Sequence, residues 1–287
     1  MTRWTKKLAR PFIYQPTEFD NKYTRGVLGA VTGSIEFPGA AVLSTFSAIQ
    51  TGVGMVRFHP LTYRFSRVPR NFVERLVLEK SPEVVISPGA VTAWLVGSGV
   101  GAPHNDTVIA RRRQRDIAHA LKHPKPTILD AGALHYAGQL NSPTLLTPHY
   151  GELARLLNER GVAVTSTQIA AHPEKWVVEA AVLLRVTVLL KGSITYLSDG
   201  VRTIELPEST PWLSTAGTGD VLAGILGALV ATHGESIASG EVELLEIGAT
   251  GAFIHHLAAE HASRNGPVSA MKVAHEVSSA VSTIINK

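Results

Sequence analysis

Five short apolar runs, each closing on a cluster of small polar or glycine residues, constrain the fold of this 287-residue chain more than any other feature. Gly26 to Gly33 closes on Gly33-Ser34, Thr92 to Val96 on Gly97 to Gly101, and Thr127 to Leu129 on Asp130. Leu145 to Thr147 runs into Pro148 to Glu152, and Thr187 to Leu190 into Lys191 to Ser193. Short apolar runs bounded by turn formers suit strands buried on both faces. Helical patterns separate them. Pro38 fits a first helical turn, and Ala40, Ala41, Val42, Leu43, Phe46, Ala48 and Ile49 hold an apolar stripe until Gly52 and Gly54 stop it. Asn71 to Leu78, Thr107 to Leu121, Leu153 to Asn158, Gln168 to Leu184, Val242 to Ser263 and Ser269 to Ile285 read as further helices, and Met55 to Phe58 and Val84 to Ile86 as further strands. Asp199-Gly200, between Thr195 to Leu197 and Thr203 to Leu206, is a hairpin turn. Alternating strands and helices predict an α/β fold, a mostly parallel sheet with right-handed crossovers and helices on both faces. Ligands of such sheets lie beyond the carboxyl ends of the strands, so the polar clusters should share one rim.

No repeat or polar linker divides the chain, and one domain over residues 1–287 is the simplest organisation, with a tail of about residues 1–22. At 45% apolar and 17% charged residues the composition is that of an ordinary globular domain. No apolar run approaches the roughly 18 residues of a bilayer span. Arg3, Lys6, Lys7 and Arg10 precede Tyr14, Gln15 and Pro16 where a leader would need an apolar core, so a cytoplasmic protein with no membrane partner is expected. The absence of cysteine excludes disulfides, a thiol nucleophile and thiolate metal ligands. A formal charge of +4 suits anionic small molecules. The basic run Arg111-Arg112-Arg113-Gln114-Arg115 carries no interleaved aromatic side chains and reads as a solvated face, so nucleic acid is not expected.

The stretch Ser214 to Asp220, followed by the apolar Val221 to Val230, carries the strongest chemical signal. A helix that begins near Gly217 leaves its first N–H groups without intrahelical acceptors, at the positive end of the macrodipole, which makes an anion site. Gly217 and Gly219 would let a phosphate approach the backbone, and Asp220 in the first turn could take a proton from an attacking hydroxyl. A plain turn with an acid complementing the dipole fits the same residues. Lys191-Gly192-x-x-Thr195 sets an ammonium and a hydroxyl around a turn past a buried strand, suited to phosphate or ribose. His149 stands where a helix should start, as a ligand contact or a cap. Asp130 could orient water or Mg²⁺, or cap the next helix.

Gly97-Ser98-Gly99-Val100-Gly101-Ala102 fits a loose dinucleotide pattern, which keeps an NAD-dependent oxidoreductase in view, yet Pro103 follows at once and no acid-ended strand appears about 20 residues on. A Walker A loop and a serine-hydrolase elbow are absent. His255-His256 with Glu260 and His261, and His119 with His123, share helix faces without making a His-Glu-x-x-His site, and read as surface or packing residues.

Several blocks, in order, carry a resemblance. They are Thr32-Gly33-Ser34 with Pro38-Gly39-Ala40-Ala41-Val42-Leu43, Val96-Gly97-Ser98-Gly99-Val100-Gly101, and Ile128-Leu129-Asp130-Ala131-Gly132-Ala133-Leu134. They continue with Leu146-Thr147-Pro148-His149-Tyr150-Gly151-Glu152, Leu190-Lys191-Gly192-Ser193-x-Thr195, and Ala216-Gly217-Thr218-Gly219-Asp220-Val221-Leu222-Ala223-Gly224. From about Gly26 to the last helix the chain resembles the ADP-dependent NAD(P)H-hydrate dehydratases of the ribokinase-like superfamily. It departs from the family pattern at Ser98, usually proline; at Gly132, usually a second acid; at Tyr150, usually proline; and at Ser214-Thr215, usually a glycine pair.

The resemblance implies a ribokinase-like fold and repair of hydrated NADH or NADPH, the S form of NAD(P)HX, with ADP (or ATP) as co-substrate and Mg²⁺ bridging its phosphates. Asp220 would be the base, and the amides of Gly217, Thr218 and Gly219 the anion hole. Ala40, Gly99, His149 and Asp220 would face the hydrated cofactor; Lys191, Gly192, Ser193, Ile194, Thr195 and Gly219 would face ADP. No protein-only metal site is implied; Asp130 or Glu152 would reach Mg²⁺ through water. A homo-oligomer, a tetramer by analogy, and a separate epimerase are implied as well, since nothing of epimerase size precedes Gly26. The alternatives are a ribokinase-like ATP-dependent kinase of a small vitamin-precursor or sugar alcohol, a dinucleotide-binding oxidoreductase, and a nucleotide-binding sensor.

Overall fold

The computed structural model describes residues 1–61, 71–101, 115–118, 120–122 and 124–286. In chain order its strands are β1 (Thr2–Arg3), β2 (Val27–Val31), β3 (Met55–Phe58), β4 (Ala93–Val96), β5 (Thr127–Leu129), β6 (Thr144–Leu146), β7 (Thr187–Leu190), β8 (Tyr196–Ser198) and β9 (Thr203–Glu205). They form one sheet in the order β1-β9-β8-β7-β6-β5-β4-β2-β3. Every pairing is parallel except β7 with β8 and β8 with β9, the hairpin around Asp199-Gly200. The expected α/β class and mostly parallel sheet are therefore observed.

Successive strand residues face opposite sides of a sheet, and both sides are buried here. Leu28, Leu95, Ile128, Leu145 and Leu189 belong to one hydrophobic core, while Val31, Val96, Leu129, Leu146, Val188 and Leu190 belong to another. The first core is covered by the helices α2 (Pro38–Thr51), α7 (Thr218–Thr232), α9 (Leu244–Ser263) and α10 (Ala270–Ile285). The second is covered by α4 (Tyr150–Asn158), α5 (Ser166–Ala171) and α6 (Pro173–Leu184). Helix α7 is buried almost all round, from Val221 to Ala231. It packs so closely that a Cβ on Gly224 would stand 2.2 Å from the Ser44 carbonyl of α2. That contact presses the middles of α7 and α2 together.

Several expectations are corrected. Residues 168–184 are not one helix: Pro173 lacks the N–H that would continue the first segment and instead opens α6 at N1, with His172 out of the helical conformation before it. Val84 to Ile86 contributes a single parallel bridge, Arg57 to Val85, instead of a strand. The first residues are no loose tail, because β1 adds parallel to β9 and Trp4, Ala9 and Ile13 are buried. Two short helices, α1 (Lys6–Ala9) and α8 (Gly234–Ser239), had no counterpart in the pattern, whereas α3 (Phe72–Lys80) did. The first part of the helix expected at Thr107 to Leu121, the Arg111 to Arg113 run, Ala102, Pro103, His119 and His123 lie outside the described residues. Among the described residues no helix is long and apolar enough to cross a membrane.

Candidate active site

The rim where β2, β4, β5, β6 and β7 end collects the polar clusters. Gly217 has φ +91° and is the N-cap of α7, with no side chain capping it. The first helical N–H to find a partner is Val221, on the Gly217 carbonyl at 3.2 Å. The N–H groups of Thr218, Gly219 and Asp220 precede it and face outward as an anion turn. Glycine is needed at 217 on two counts: the left-handed backbone, and a Cβ that would lie 2.6 Å from Leu43 Cδ1. Thr218 Oγ1 donates to the carbonyls of Leu213 (2.9 Å) and Thr215 (3.0 Å), which ties the preceding loop to the turn.

Asp220 Oδ2 lies 3.9 Å from where a Gly217 Cβ would stand, so the carboxylate folds back over the turn. Burial first, then the negative charge of Asp130, push its pKa up to about 7, against the pull of Lys191. Asp130 itself is buried at the end of β5 and fully partnered. Ser98 Oγ donates to its Oδ2 at 2.7 Å, Thr147 Oγ1 to its Oδ1 at 2.7 Å, and Lys191 Nζ to Oδ1 at 3.2 Å. Burial alone would raise this carboxyl; the Lys191 ammonium and then the hydroxyls outweigh it and hold the pKa below the usual range. Burial likewise opposes the charge on Lys191, and Asp130 and then Glu152 override it and raise its pKa. Asp130 takes the nearby donors, and Asp220, without an equivalent partner, is the carboxylate left to exchange a proton near neutrality.

Lys191 also lies 3.7 Å from Glu152 Oε2, and a Cβ on Gly219 would be 3.7 Å from its Nζ. The ammonium therefore bridges the strand ends and the anion turn. A cavity of about 580 Å³ opens there, walled by Lys191, Gly192, Ser193, Thr195, Thr218 and Gly219. Ile194, between two lining residues, is not on the wall. His149 is on it as well, but as the N-cap of α4: its Nδ1 accepts from Gly151 N–H at 3.0 Å, and Glu152 Oε2 accepts from His149 N–H at 2.8 Å, a capping box. Ala40, in the first turn of α2, and Gly99 meet off that wall, where a Cβ on Gly99 would lie 2.3 Å from the Ala40 Cβ. The structure thus puts Thr218, Gly219, Lys191 and His149 on the wall of one cavity, with Gly217 and Asp220 beside them at the start of α7 but not among its lining residues, and sets Ala40 with Gly99 at the start of α2.

Sequence reasoning missed Ser98 and Thr147 as partners of Asp130. It also missed that Asp130, though next to the short 3-10 helix Ala131–Tyr136, makes no side-chain cap. Two of the departures have local causes. Ser98 supplies a hydroxyl that proline could not, and at Gly132 a Cβ would sit 2.1 Å from the Val100 carbonyl, so no second acid fits. Tyr150 is coupled to Gly192, whose Cβ would fall 2.0 Å from the phenol oxygen.

Among the described residues no group of three or more His, Asp or Glu could hold a metal alone. Both Asp130 oxygens are taken, and Glu152, which caps α4 and lies 3.7 Å from Lys191 Nζ, is not on the cavity wall, where Glu208 is the lining carboxylate residue. That donor set fits Mg²⁺ arriving with phosphates, not a protein-only cage.

An open α/β sheet with an uncapped helix N-terminus, a lysine and a near-neutral carboxyl at its carboxyl rim defines an α/β protein built to bind an anionic ligand beside a proton acceptor. A family model described as NAD(P)H-hydrate dehydratase matches residues 28–282, and the chain belongs to that family. Among curated relatives, the bifunctional NAD(P)H-hydrate repair enzyme Nnr of Mycobacterium tuberculosis is 36% identical over 79% of this chain and 44% of its own length. The chain spans less than half of such bifunctional relatives. The ADP-dependent (S)-NAD(P)H-hydrate dehydratase of Neisseria meningitidis serogroup B is 30% identical over 98% of this chain and 92% of that protein. In fold, the chain is similar to the ADP/ATP-dependent NAD(P)H-hydrate dehydratase of Bacillus subtilis co-crystallised with ATP/Mg²⁺, with TM-score 0.77, 23% identity, and coverage of 99% and 97% of the two chains.

Proposed function

We propose that this chain dehydrates the S form of hydrated NADH or NADPH at the expense of ADP (or ATP), a carbon–oxygen lyase that returns the normal cofactor. The observation that carries the reading is Asp220, its pKa pushed to about 7, folded over an uncapped helix start and next to Lys191. A base poised near the working pH is what proton removal from a ring hydroxyl requires. Asp220 takes that proton as the hydroxyl oxygen bonds to the terminal phosphorus of ADP and the bond to AMP breaks. The N–H groups of Thr218 and Gly219, with the Lys191 ammonium, hold the charge on the transferring group, the step in which positioning and electrostatics supply most of the rate. The ring nitrogen lone pair then expels phosphate, and loss of a proton from the neighbouring ring carbon restores the double bond. Glu152 would hold, through water, a Mg²⁺ that arrives with the nucleotide, and that ion would supply further neutralisation of the phosphate oxygens.

In this reading Gly192, Ser193 and Thr195 border the nucleotide, and Ala40 with Gly99 border the hydrated cofactor from the α2 side. The enzyme works in the cytoplasm as a homo-oligomer, a tetramer by family likeness, supplied with the S form by a separate epimerase. The test is incubation with hydrated NADH plus ADP or ATP while the absorbance of reduced nicotinamide is followed. Return of absorbance that requires nucleotide and releases AMP from ADP supports the reading. No return with either nucleotide, together with ATP consumption on another alcohol, assigns the site to a kinase instead.

A further inference from the structure

Ser209 stands on the cavity wall with its side chain already aimed by a partner that lies off the wall. Its Oγ is 3.1 Å from Nδ1 of His256, which is half-buried on α9 and is not among the lining residues. Main-chain pairing fixes where along the wall Ser209 falls. Leu206 N–H donates to the Thr195 carbonyl at 3.0 Å, and Ser209 N–H to the Ser193 carbonyl at 3.1 Å. Lys191 stands two residues from Ser193, on the side away from Thr195, a step of at most about 7 Å of chain. The wall therefore passes from an apolar side chain at Leu206, through the Ser209 hydroxyl, to the Lys191 ammonium. A nucleotide has the same order, with base, ribose hydroxyls and phosphates in turn.

The bond to His256 is not what fastens this loop. The Ser209 main chain is already held by Ser193, and the next residue is tied to the same helix, where Thr210 N–H donates to Glu260 Oε1 at 3.2 Å. What the imidazole adds is direction. Burial, against the weaker pull of Glu260, lowers the His256 pKa, so the ring is uncharged at neutral pH and offers one donor and one acceptor nitrogen. With either tautomer, one of the three hydrogen-bonding positions of the Ser209 hydroxyl is taken by Nδ1 and the other two are left for a ligand. A hydroxyl held in this way gives up little freedom when a ligand meets it.

We propose that Ser209 is a ribose-binding residue of the cavity, its hydroxyl bonded to a sugar hydroxyl of the nucleotide, and that His256 is the positioning residue that aims it. The contact presupposes the nucleotide reading of this cavity and deepens it: the site distinguishes ribonucleotides from their deoxy analogues. It acts on the sugar, not on the phosphates.

The experiment is calorimetric titration of wild type, Ser209→Ala, His256→Leu and His256→Asn with ADP, its 2′-deoxy and 3′-deoxy analogues, and inorganic pyrophosphate, after thermal melts have shown each variant folded. Wild type should prefer ADP over one of the deoxy analogues. Ser209→Ala should weaken ADP by about three- to tenfold, the loss of one hydrogen bond, down to the affinity of that analogue, which itself should bind both proteins alike. Pyrophosphate affinity should stay unchanged. His256→Leu should reproduce most of the loss, and His256→Asn, which keeps a polar atom near the place of Nδ1, should restore most of it. ADP affinity unchanged in Ser209→Ala would overturn the proposal and leave the nucleotide reading standing. A loss equal for ADP and both deoxy analogues would overturn it, as would a loss shared by pyrophosphate, and full sugar discrimination in His256→Leu would overturn the role of the imidazole. Wild type that binds pyrophosphate but not ADP would overturn the nucleotide reading itself, and the ribose contact with it.

Discussion

Replacing Asp130 by asparagine separates charge from shape at the centre of the site. An amide can still accept from Thr147 on Oδ1 and can meet Ser98 by reversing the direction of that hydrogen bond, so the frame of three partners at 2.7–3.2 Å survives. What disappears is one negative charge. Asp130 raises the Asp220 pKa by repulsion, and it also neutralises Lys191, which lowers the Asp220 pKa. With Asp130 uncharged, both effects act in the same direction. For charges on the order of 6 Å apart at an effective dielectric of about 20, one pair is worth about 3 kcal/mol, or about two pH units. The acidic limb of kcat/KM, set near pH 7 in wild type by Asp220, should therefore move down to about pH 5. The plateau should fall as well, because a weaker base accepts the proton less readily. Asp130→Asn also leaves a buried ammonium short of a counter-charge, which costs about 3–5 kcal/mol of stability, so the profile is recorded below the variant's measured melting range. A limb that stays near pH 7, or that moves up, would refute the claim that Asp130 sets the protonation of Asp220.

Three further outcomes are expected. Asp220→Asn should make the protein more stable at pH 8. The native carboxyl keeps its proton up to about pH 7 while an unfolded aspartate releases it near 3.8, so the native state binds more protons in that window and stability falls as pH rises through it, by up to about 4 kcal/mol. Melting scans should show the gain at pH 8 vanish below pH 4. Gly217→Ala should destabilise by about 1–2 kcal/mol or more, since φ is +91° and the methyl meets Leu43 and Ala270, as a chemical denaturation midpoint would register. Gly219→Ala, whose methyl has no contact under 3.7 Å, should melt like wild type yet raise the Michaelis constant for ADP severalfold, because the methyl occupies the approach to the anion turn.

The apolar run from Val221 to Val230 announced a buried helix, and Gly217 before it announced where that helix starts, because both are local rules that the chain obeys within a few residues. The strand ends were legible for the same reason, and the α/β rule then set them on one rim. What was not legible is pairwise. Asp130 lies 32 positions from Ser98 and 17 from Thr147, and no period or motif says which hydroxyl on neighbouring strand ends turns toward which carboxylate. His149 could be placed at a helix start, but only its geometry shows Nδ1 taken by the first turn of α4. Strand β1 is two residues long and carries no pattern of its own; its place is set by β9, some 200 residues on.

The central claim is that Asp220 acts as the base and is not needed to hold the nucleotide. Turnover of hydrated NADH with ADP, measured for wild type and Asp220→Asn beside the ADP dissociation constant of each, tests it most directly. The account predicts a fall in turnover of about 10²- to 10⁴-fold with an ADP affinity equal to or tighter than wild type, since a negative charge beside the phosphates has been removed. An asparagine variant that turns over at a rate close to wild type would contradict it.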